Sequence, residues 1–392
     1  MQIPRTTKDL ASYARAIFRP KQFDSLFLFV TSRCNSLCRT CFYWDQLNKN
    51  QDLSFEQIET VSRTAPPFGK LWLSGGEPFM REGLDEIISL FYRNNHIRSL
   101  NLPTNGLLPD KIDSVIGRVL KDCPDLMIDL NFSIDGLANT NDAIRGVPNN
   151  FRKTLATMDR IQEKYGHHAR LRRNVLTVIT RENYDELIRL GLFLLQKDNT
   201  TGQYFEVIRG NPMDLSLKNI NRKELKALHD KLLPLHAAHA ERLFADLPAS
   251  VRWFPKMFLL GSIKFHFQLH EECVERPQKW AMSCSAGVTS AVIDHNGEFR
   301  ACEIRPAIGK LQDFNFNMTE ALNSDQMKKE VWDITEANCW CTHSCWIQDS
   351  MKFSPKVLLF KVPWSFLKYK LQRLPKLNLS DIEQFHEPLP TH

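Results

Sequence analysis

Three features of this 392-residue sequence predict an α/β fold, a partial (β/α)6 TIM-like barrel followed by a helical connector and a small cysteine-rich module. Apolar runs alternate with helix-length amphipathic stretches, polar and glycine-rich signals follow the runs, and cysteines gather in two places. The runs are LFLFVTS (26–32), KLWLSG (70–75), SLNLPTNG (99–106), MIDLNFSIDG (127–136), LRRNVLTVIT (171–180) and QYFEVIRG (203–210). Each has the length and the β-branched or apolar content of a buried strand. Between them, Ser54-Phe-Glu-Gln57 and Asn183-Tyr-Asp-Glu186 carry the cap and the third-position acid or amide that open helices. Such alternation predicts parallel strands with helices outside them. Six units suit a barrel left open on one side better than a closed eight-fold one.

Apolar residues at 43% and charged residues at 24% are ordinary globular usage and exclude disorder, collagen-like repeats and coiled coil. No apolar run reaches the ~18 residues of a membrane-spanning helix, and the N-terminus lacks a signal-peptide layout, so a cytoplasmic protein is expected. A net charge of +6 is too weak to imply nucleic acid. The chain divides into an N-terminal helical segment (1–23), the barrel (24–215), a helical connector (216–280), the cysteine-rich module (281–350) and a basic, apolar tail (351–392).

The polar signals fall at the C-terminal ends of the strand runs, the edge where barrels of parallel strands build active sites. They are Thr31 to Cys41, Gly75-Gly76-Glu77-Pro78, Thr104-Asn105-Gly106, Ser133-Ile134-Asp135-Gly136 and Arg209-Gly210-Asn211. Of ten cysteines, Cys34, Cys38 and Cys41 share one loop, six lie beyond residue 270, and Cys123 stands alone. In a reducing compartment such clusters read as metal centres rather than disulfides. Cys34-x-x-x-Cys38-x-x-Cys41 offers three thiolates and leaves a fourth position open. A structural zinc ion wants four ligands, whereas a four-iron cluster on three cysteines keeps one iron free.

In this cysteine spacing after the first strand, and in the Gly75-Gly76-Glu77-Pro78 segment ending the second, the sequence resembles the radical S-adenosylmethionine (SAM) superfamily over roughly residues 24–215. The resemblance implies a [4Fe–4S] cluster on Cys34, Cys38 and Cys41 as the catalytic centre and SAM bound at its open iron. It also implies SAM contacts from Gly75, Gly76, Glu77, Pro78, Thr104, Asn105, Ser133, Asp135 and Arg145, with Glu77 at the amino group. Asn105 and Asp135 read equally as turn residues, and Arg145 could instead pair with a structural carboxylate. Relatives often carry an aromatic residue before the third cysteine, where this chain has Thr40, with Phe42, Tyr43 and Trp44 following.

Beyond residue 280, Cys284 and Cys302 flank an expected hairpin with a turn at Asp294-His-Asn-Gly297. This resembles the opening of the SPASM and twitch modules, and so implies one auxiliary [4Fe–4S] cluster. Cys284, Cys302, Cys341 and Cys345 are the favoured ligands, with Cys339 as a substitute or an extra, and a zinc ion remains the alternative. Cys123 and Cys273 read as buried and inert, and His295 and His343 as surface residues without a role.

The activity implied is reductive cleavage of SAM to a 5′-deoxyadenosyl radical and hydrogen abstraction from a substrate, with flavodoxin or ferredoxin as electron donor. Only 33 residues precede Cys34, too few for a leader-binding or cobalamin domain, so a small or lipid-linked molecule is expected. A peptide-modifying maturase and a non-catalytic iron–sulfur or zinc scaffold are the alternatives. Residues 351–380 hold seven Lys or Arg and no acid. They read either as a tail packed on the barrel or as peripheral membrane contact.

Overall fold

The computed structural model describes residues 21–275, 280, 282–337, 339–372 and 374. The expected helical segment at 1–23 lies almost wholly outside them.

All six strand runs form strands, and all are parallel to their neighbours. They are β1 (Ser25–Thr31), β2 (Lys70–Gly75), β3 (Ser99–Thr104), β4 (Met127–Ser133), β5 (Leu171–Ile179) and β6 (Gly202–Val207). Helices α1 (Phe55–Thr64), α2 (Leu84–Asn95), α3 (Pro109–Asp122), α4 (Ala138–Arg145), α5 (Asn150–Tyr165) and α6 (Leu187–Leu195) connect them. The strands run in sequence order across the sheet, as an open (β/α)6 barrel requires. β1 is buried at every position, which is why it reads as an unbroken apolar run.

Ser54 caps α1 with a full capping box. Asn183 opens no helix, because α6 begins at Leu187. Its side-chain amide instead donates to the carbonyls of Asp135 (2.5 Å) and Val178 (2.8 Å), fastening the end of β5 to the β4 loop.

The cysteine-rich region does not stand apart from the barrel. Its hairpin, β7 (Ser290–Ile293) and β8 (Glu298–Arg300), turns at Gly297 as expected, but β7 lies parallel to β1 and extends the main sheet, with the short β9 (Gly309–Lys310) at the edge. The long helices α7 (Arg222–Leu243) and α8 (Ala249–Glu275) pack on each other and bury five histidines. His229 stacks on Phe267 at 3.9 Å and bonds Glu271 at 2.9 Å. After α9 (Met318–Leu322) and α10 (Asp325–Glu336), helix α11 (Ser344–Lys352) buries Trp346 against Phe27 of β1, ring centroids 4.8 Å apart. One α11 carboxylate, Asp349, accepts hydrogen bonds from the hydroxyls of Ser25, Ser285, Thr289 and Ser290. It thereby ties the module to the base of the barrel. The tail continues through one π-helical turn (Val357–Lys361) into α12 (Val362–Leu371), which packs on α8. No described helix is long and apolar enough to cross a membrane.

Candidate active site at the cysteine loop and barrel cavity

The loop of Cys34, Cys38 and Cys41 leaves β1 and is clamped by the end of β2. Gly76 N–H donates to Thr31 O and Glu77 N–H to Arg33 O, both at 2.8 Å. The approach is so close that a Cβ on Gly76 would lie 2.1 Å from Arg33 O. Gly75 adds a φ of +109° that side chains disfavour, with its Cβ position 2.3 Å from Thr31 O. Asp52, which the sequence did not single out, accepts from Thr31 Oγ1 (2.5 Å) and Ser32 N–H (2.7 Å). Arg39 pairs with Glu182 and Asp214 and so anchors the loop's far side to the barrel.

The residues expected to hold SAM gather here, and most already bond one another. Glu77 is buried and accepts from Asn105 N–H (2.7 Å), Thr104 Oγ1 (2.9 Å) and Phe79 N–H (3.3 Å), while Pro78 starts a buried turn. Burial pushes the Glu77 carboxyl up to about 7 against these donors. Asn105 donates to Asn35 (2.6 Å) and Ser36 (3.2 Å) inside the cysteine loop. Asp135 is fully buried and pairs with Arg145 Nε at 2.9 Å, the structural pairing considered as the alternative for this arginine. Arg145 Nη1 in turn lies 3.6 Å from Cys38 Sγ. Ser133 is half-buried at the end of β4.

The donor chemistry fits an iron cluster. Burial pushes the Cys34 thiol up to about 12 and Cys41 up to about 11, and neighbouring thiols add to both. Cys38 is raised by burial as well, with Arg145 opposing. Thiolates so crowded need cationic partners, which iron supplies. Among the described residues no three His, Cys, Asp or Glu converge as a single metal ion demands. A four-iron cluster, bound one thiolate per iron, does not require that convergence.

In the C-terminal region Cys284, Cys302, Cys339 and Cys341 lie near enough to act on one another's thiols. Burial dominates the raised pKa of Cys284, with Cys339 adding to it, and that of Cys302, with Cys341 and Cys284 adding. Cys341 is raised by burial and then by Cys284 and Cys339. Cys345, favoured as a ligand ahead of Cys339, also lines the barrel cavity. On the first turn of α11 its thiol turns into the barrel, where burial and then Glu206 raise it, with Glu303 adding. His295 and His343, expected at the surface, are both buried. His295 Nδ1 meets Tyr43 Oη at 2.5 Å, and His343 Nε2 contacts Glu303. Cys123 and Cys273 are buried as expected.

The barrel holds a cavity of about 1030 Å³, counted to its open mouth. Its lining includes Lys70, Asn101, Asp129, Asn131, Arg172, Asn174, Glu206, Arg209, Glu303 and Cys345. Arg209 spans the wall, with its guanidinium 4.8 Å above the Phe42 ring, Nη1 2.6 Å from Glu206 and Nη2 3.0 Å from Glu303. Glu303, directly after Cys302, is pulled down to about 2 by His343 and Arg209 despite its burial. The sequence marked Arg209 only as a strand-end polar residue. Its partners are three and 94 positions away, and no local pattern joins them.

The radical SAM superfamily model matches residues 28–194. The chain carries a radical SAM domain. That superfamily uses a [4Fe–4S] cluster and SAM. A GTP 3′,8-cyclase of Staphylococcus carnosus is 27% identical over 329 residues, 79% of this chain and 88% of its own. A probable GTP 3′,8-cyclase of Methanococcus maripaludis is 35% identical over 97 residues, 23% of this chain. Against that relative and others like it the match spans about a third of their length. Among solved structures, anSMEcpe with bound AdoMet superposes at TM-score 0.57 and 17% identity, covering 89% of this chain and 96% of its own. Streptococcus suis SuiB bound to S-adenosylmethionine superposes at 0.53 and 14%, covering 87% and 70%. At these identities the fold is what is shared.

Proposed function

We propose that this protein is a radical SAM oxidoreductase that reductively cleaves SAM and abstracts a hydrogen atom from a polar small molecule, free or lipid-linked, in the barrel cavity. The observation carrying this reading is Arg209. It lines the cavity with Glu303, which follows Cys302, and lies over Phe42, which follows Cys41, so one side chain links the cavity wall to residues adjoining both cysteine groups.

Bound to Cys34, Cys38 and Cys41, a [4Fe–4S] cluster with SAM supplies the electron and the 5′-deoxyadenosyl radical. The chain's residues position and compensate. Gly75 and Gly76 let the strand ends close on the cysteine loop, and Arg145 places a positive charge against Cys38. Pro78, Thr104, Asn105, Ser133 and Asp135 belong to the same mouth, and Glu77 braces it from within. Cys284, Cys302 and Cys341, with Cys339 or Cys345, would hold a SPASM- or twitch-like auxiliary cluster able to accept the electron that the substrate radical loses, with a proton, on completing its oxidation. A flavodoxin or ferredoxin as donor and a cytoplasmic site of action accompany the reading.

The cavity favours an uncharged, hydroxyl-rich substrate. Its three acids balance its three bases, Arg172 is committed to Asp129 and Arg209 to two glutamates, and Lys70 lies over the Trp72 ring. Such a site suits the triphosphate of GTP poorly, despite the relatives named as cyclases. A second reading, peptide modification, draws on the anSMEcpe structure with bound AdoMet and Cp18Cys peptide, which superposes over 92% of this chain at TM-score 0.54.

The test is anaerobic reconstitution, reduction, and chromatography of 5′-deoxyadenosine against panels of sugars and polyprenyl-linked alcohols, GTP, and cysteine peptides. The reading expects slow SAM cleavage alone, none in Cys38→Ala, and at least ~10-fold stimulation by a member of the first panel. Intact SAM would overturn the enzyme assignment. Stimulation by GTP or peptide alone would overturn the substrate class.

A further inference from the structure

The tail from 351 to 380 holds seven basic residues and no acid, interleaved with large apolar side chains. Its helix α12 and the preceding π turn have two different faces. Val357, Leu358, Val362 and Ser365 are buried, and Gly261 of α8 allows the close packing, its Cβ position lying 2.4 Å from Val362 O. On the outer side Phe360, Trp364, Leu367 and Leu371 follow one another at the four- and three-residue steps of a single helix face. They are 67%, 55%, 44% and 75% exposed. Isolated exposed apolar residues are ordinary, but a continuous stripe of four large ones marks an interaction surface. Trp253 and Phe254, near the start of the helix beneath, are exposed too.

We propose that this outer face docks the protein onto an anionic phospholipid bilayer. Charge selects that occupant. Lys356, Lys368 and Lys370 are exposed beside the stripe and Lys361 partly so. Lys368 and Lys370 lie over aromatic rings of the same helix, at 5.9 Å from Trp364 and 5.5 Å from Phe366. A second copy pairing through this face would set its lysines against those of the first. A bilayer with anionic headgroups instead takes the apolar stripe into its boundary and the amines at its surface, the arrangement of interfacial helices rich in Trp and Lys. The proposal stands on the tail alone and does not depend on the chemistry of the cavity.

Co-sedimentation of the full-length, iron-reconstituted protein with vesicles tests it, using phosphatidylcholine alone and phosphatidylcholine with about a third phosphatidylglycerol. The proposal expects at least ~10-fold stronger partitioning onto the anionic vesicles, largely lost near 1 M salt, where charge interactions are screened within about 3 Å. Trp364→Glu with Leu367→Glu should lower partitioning at least ~10-fold. Lys356→Glu with Lys368→Glu should remove the preference for anionic lipid. Both should keep wild-type iron content and melting temperature. Should the first pair unfold the chain, Leu371→Glu at the most exposed position repeats the measurement without touching the packed face. Absence of sedimentation, equal sedimentation with neutral vesicles, or binding unchanged by these substitutions would overturn the proposal. So would a wild-type dimer by light scattering that Leu367→Glu dissociates.

Discussion

Gly76→Ala tests whether the closeness of two strand ends shapes the cysteine loop. The added carbon would meet Arg33 O at 2.1 Å and Ser32 O at 2.9 Å, where ordinary contact begins near 3.4 Å. Both neighbours are backbone, so the ends of β1 and β2 must part by more than an ångström. Parting breaks the hydrogen bonds Gly76 N to Thr31 O and Glu77 N to Arg33 O, each 2.8 Å. Two such bonds at about 1 kcal/mol each and overpacking of about 1–3 kcal/mol together destabilise the closed arrangement by roughly 3–5 kcal/mol. A domain stable by about 5–15 kcal/mol survives that, but a loop held by those contacts does not stay in place. The expected variant is folded, holds about half the iron of wild type, and forms 5′-deoxyadenosine at least ~100-fold more slowly. Iron per chain, the electron paramagnetic resonance of the reduced protein and chromatography of the nucleoside read these outcomes. Gly309→Ala, where the added carbon meets nothing nearer than 3.9 Å, is the control and retains both. Full iron and wild-type cleavage in Gly76→Ala would refute the reasoning.

Three further outcomes are expected. Reconstituted protein should carry about eight irons and the Cys34/Cys38/Cys41→Ala triple variant about four; zinc in place of iron, or loss of all iron in the variant, would contradict two separate clusters. Arg209→Met leaves Glu206 and Glu303 buried without their cation and should destabilise by about 3–5 kcal/mol, read as a lowered melting temperature with substrate-dependent turnover lost before SAM cleavage; a variant as stable as wild type would show the pair is idle. Burial lowers His229, His236 and His270 to about 3 and His239 to about 4, whereas the unfolded chain protonates them near 6.5. The unfolded state then binds more protons below that pH, so stability should fall as pH drops through 6.5, by up to about 1.4 kcal/mol per imidazole at pH 5.5, and a melting temperature flat from pH 7.5 to 5.5 would exclude this.

The barrel was legible because its signals are local. A strand buried on both faces must be apolar throughout, and β1 reads so in LFLFVT. The glycines of Gly75-Gly76 show in the sequence because a turn against backbone tolerates no side chain. What could not be read depends on residues far apart meeting. Tyr43 and His295 are 252 positions apart, and nothing near His295 distinguishes a buried hydrogen-bonded ring from a surface one. Asn183 has the spacing of a helix cap, but its amide serves the Asp135 carbonyl instead. Periodicity reports which side of a helix is apolar and not where its start points, so spacing alone does not place the Cys345 thiol, on the first turn of α11, at the cavity wall.

The placement of Cys345 bears on why the module extends the sheet. Because β7 adds to β1 in parallel, residues after β8 return along the open side of the barrel, and Glu303 arrives opposite Arg209 of β6's end. Helix α11, locked below by Asp349 and Trp346, brings Cys345 to the same wall. A module hung on a flexible linker could bind a cluster equally well, but it could not keep a carboxylate, a thiol and a guanidinium in fixed register with the cysteine loop. Continuity of the sheet brings Phe42 and Glu303, which adjoin cysteines distant in sequence, onto one arginine, and Arg209 is the side chain through which that register can be broken.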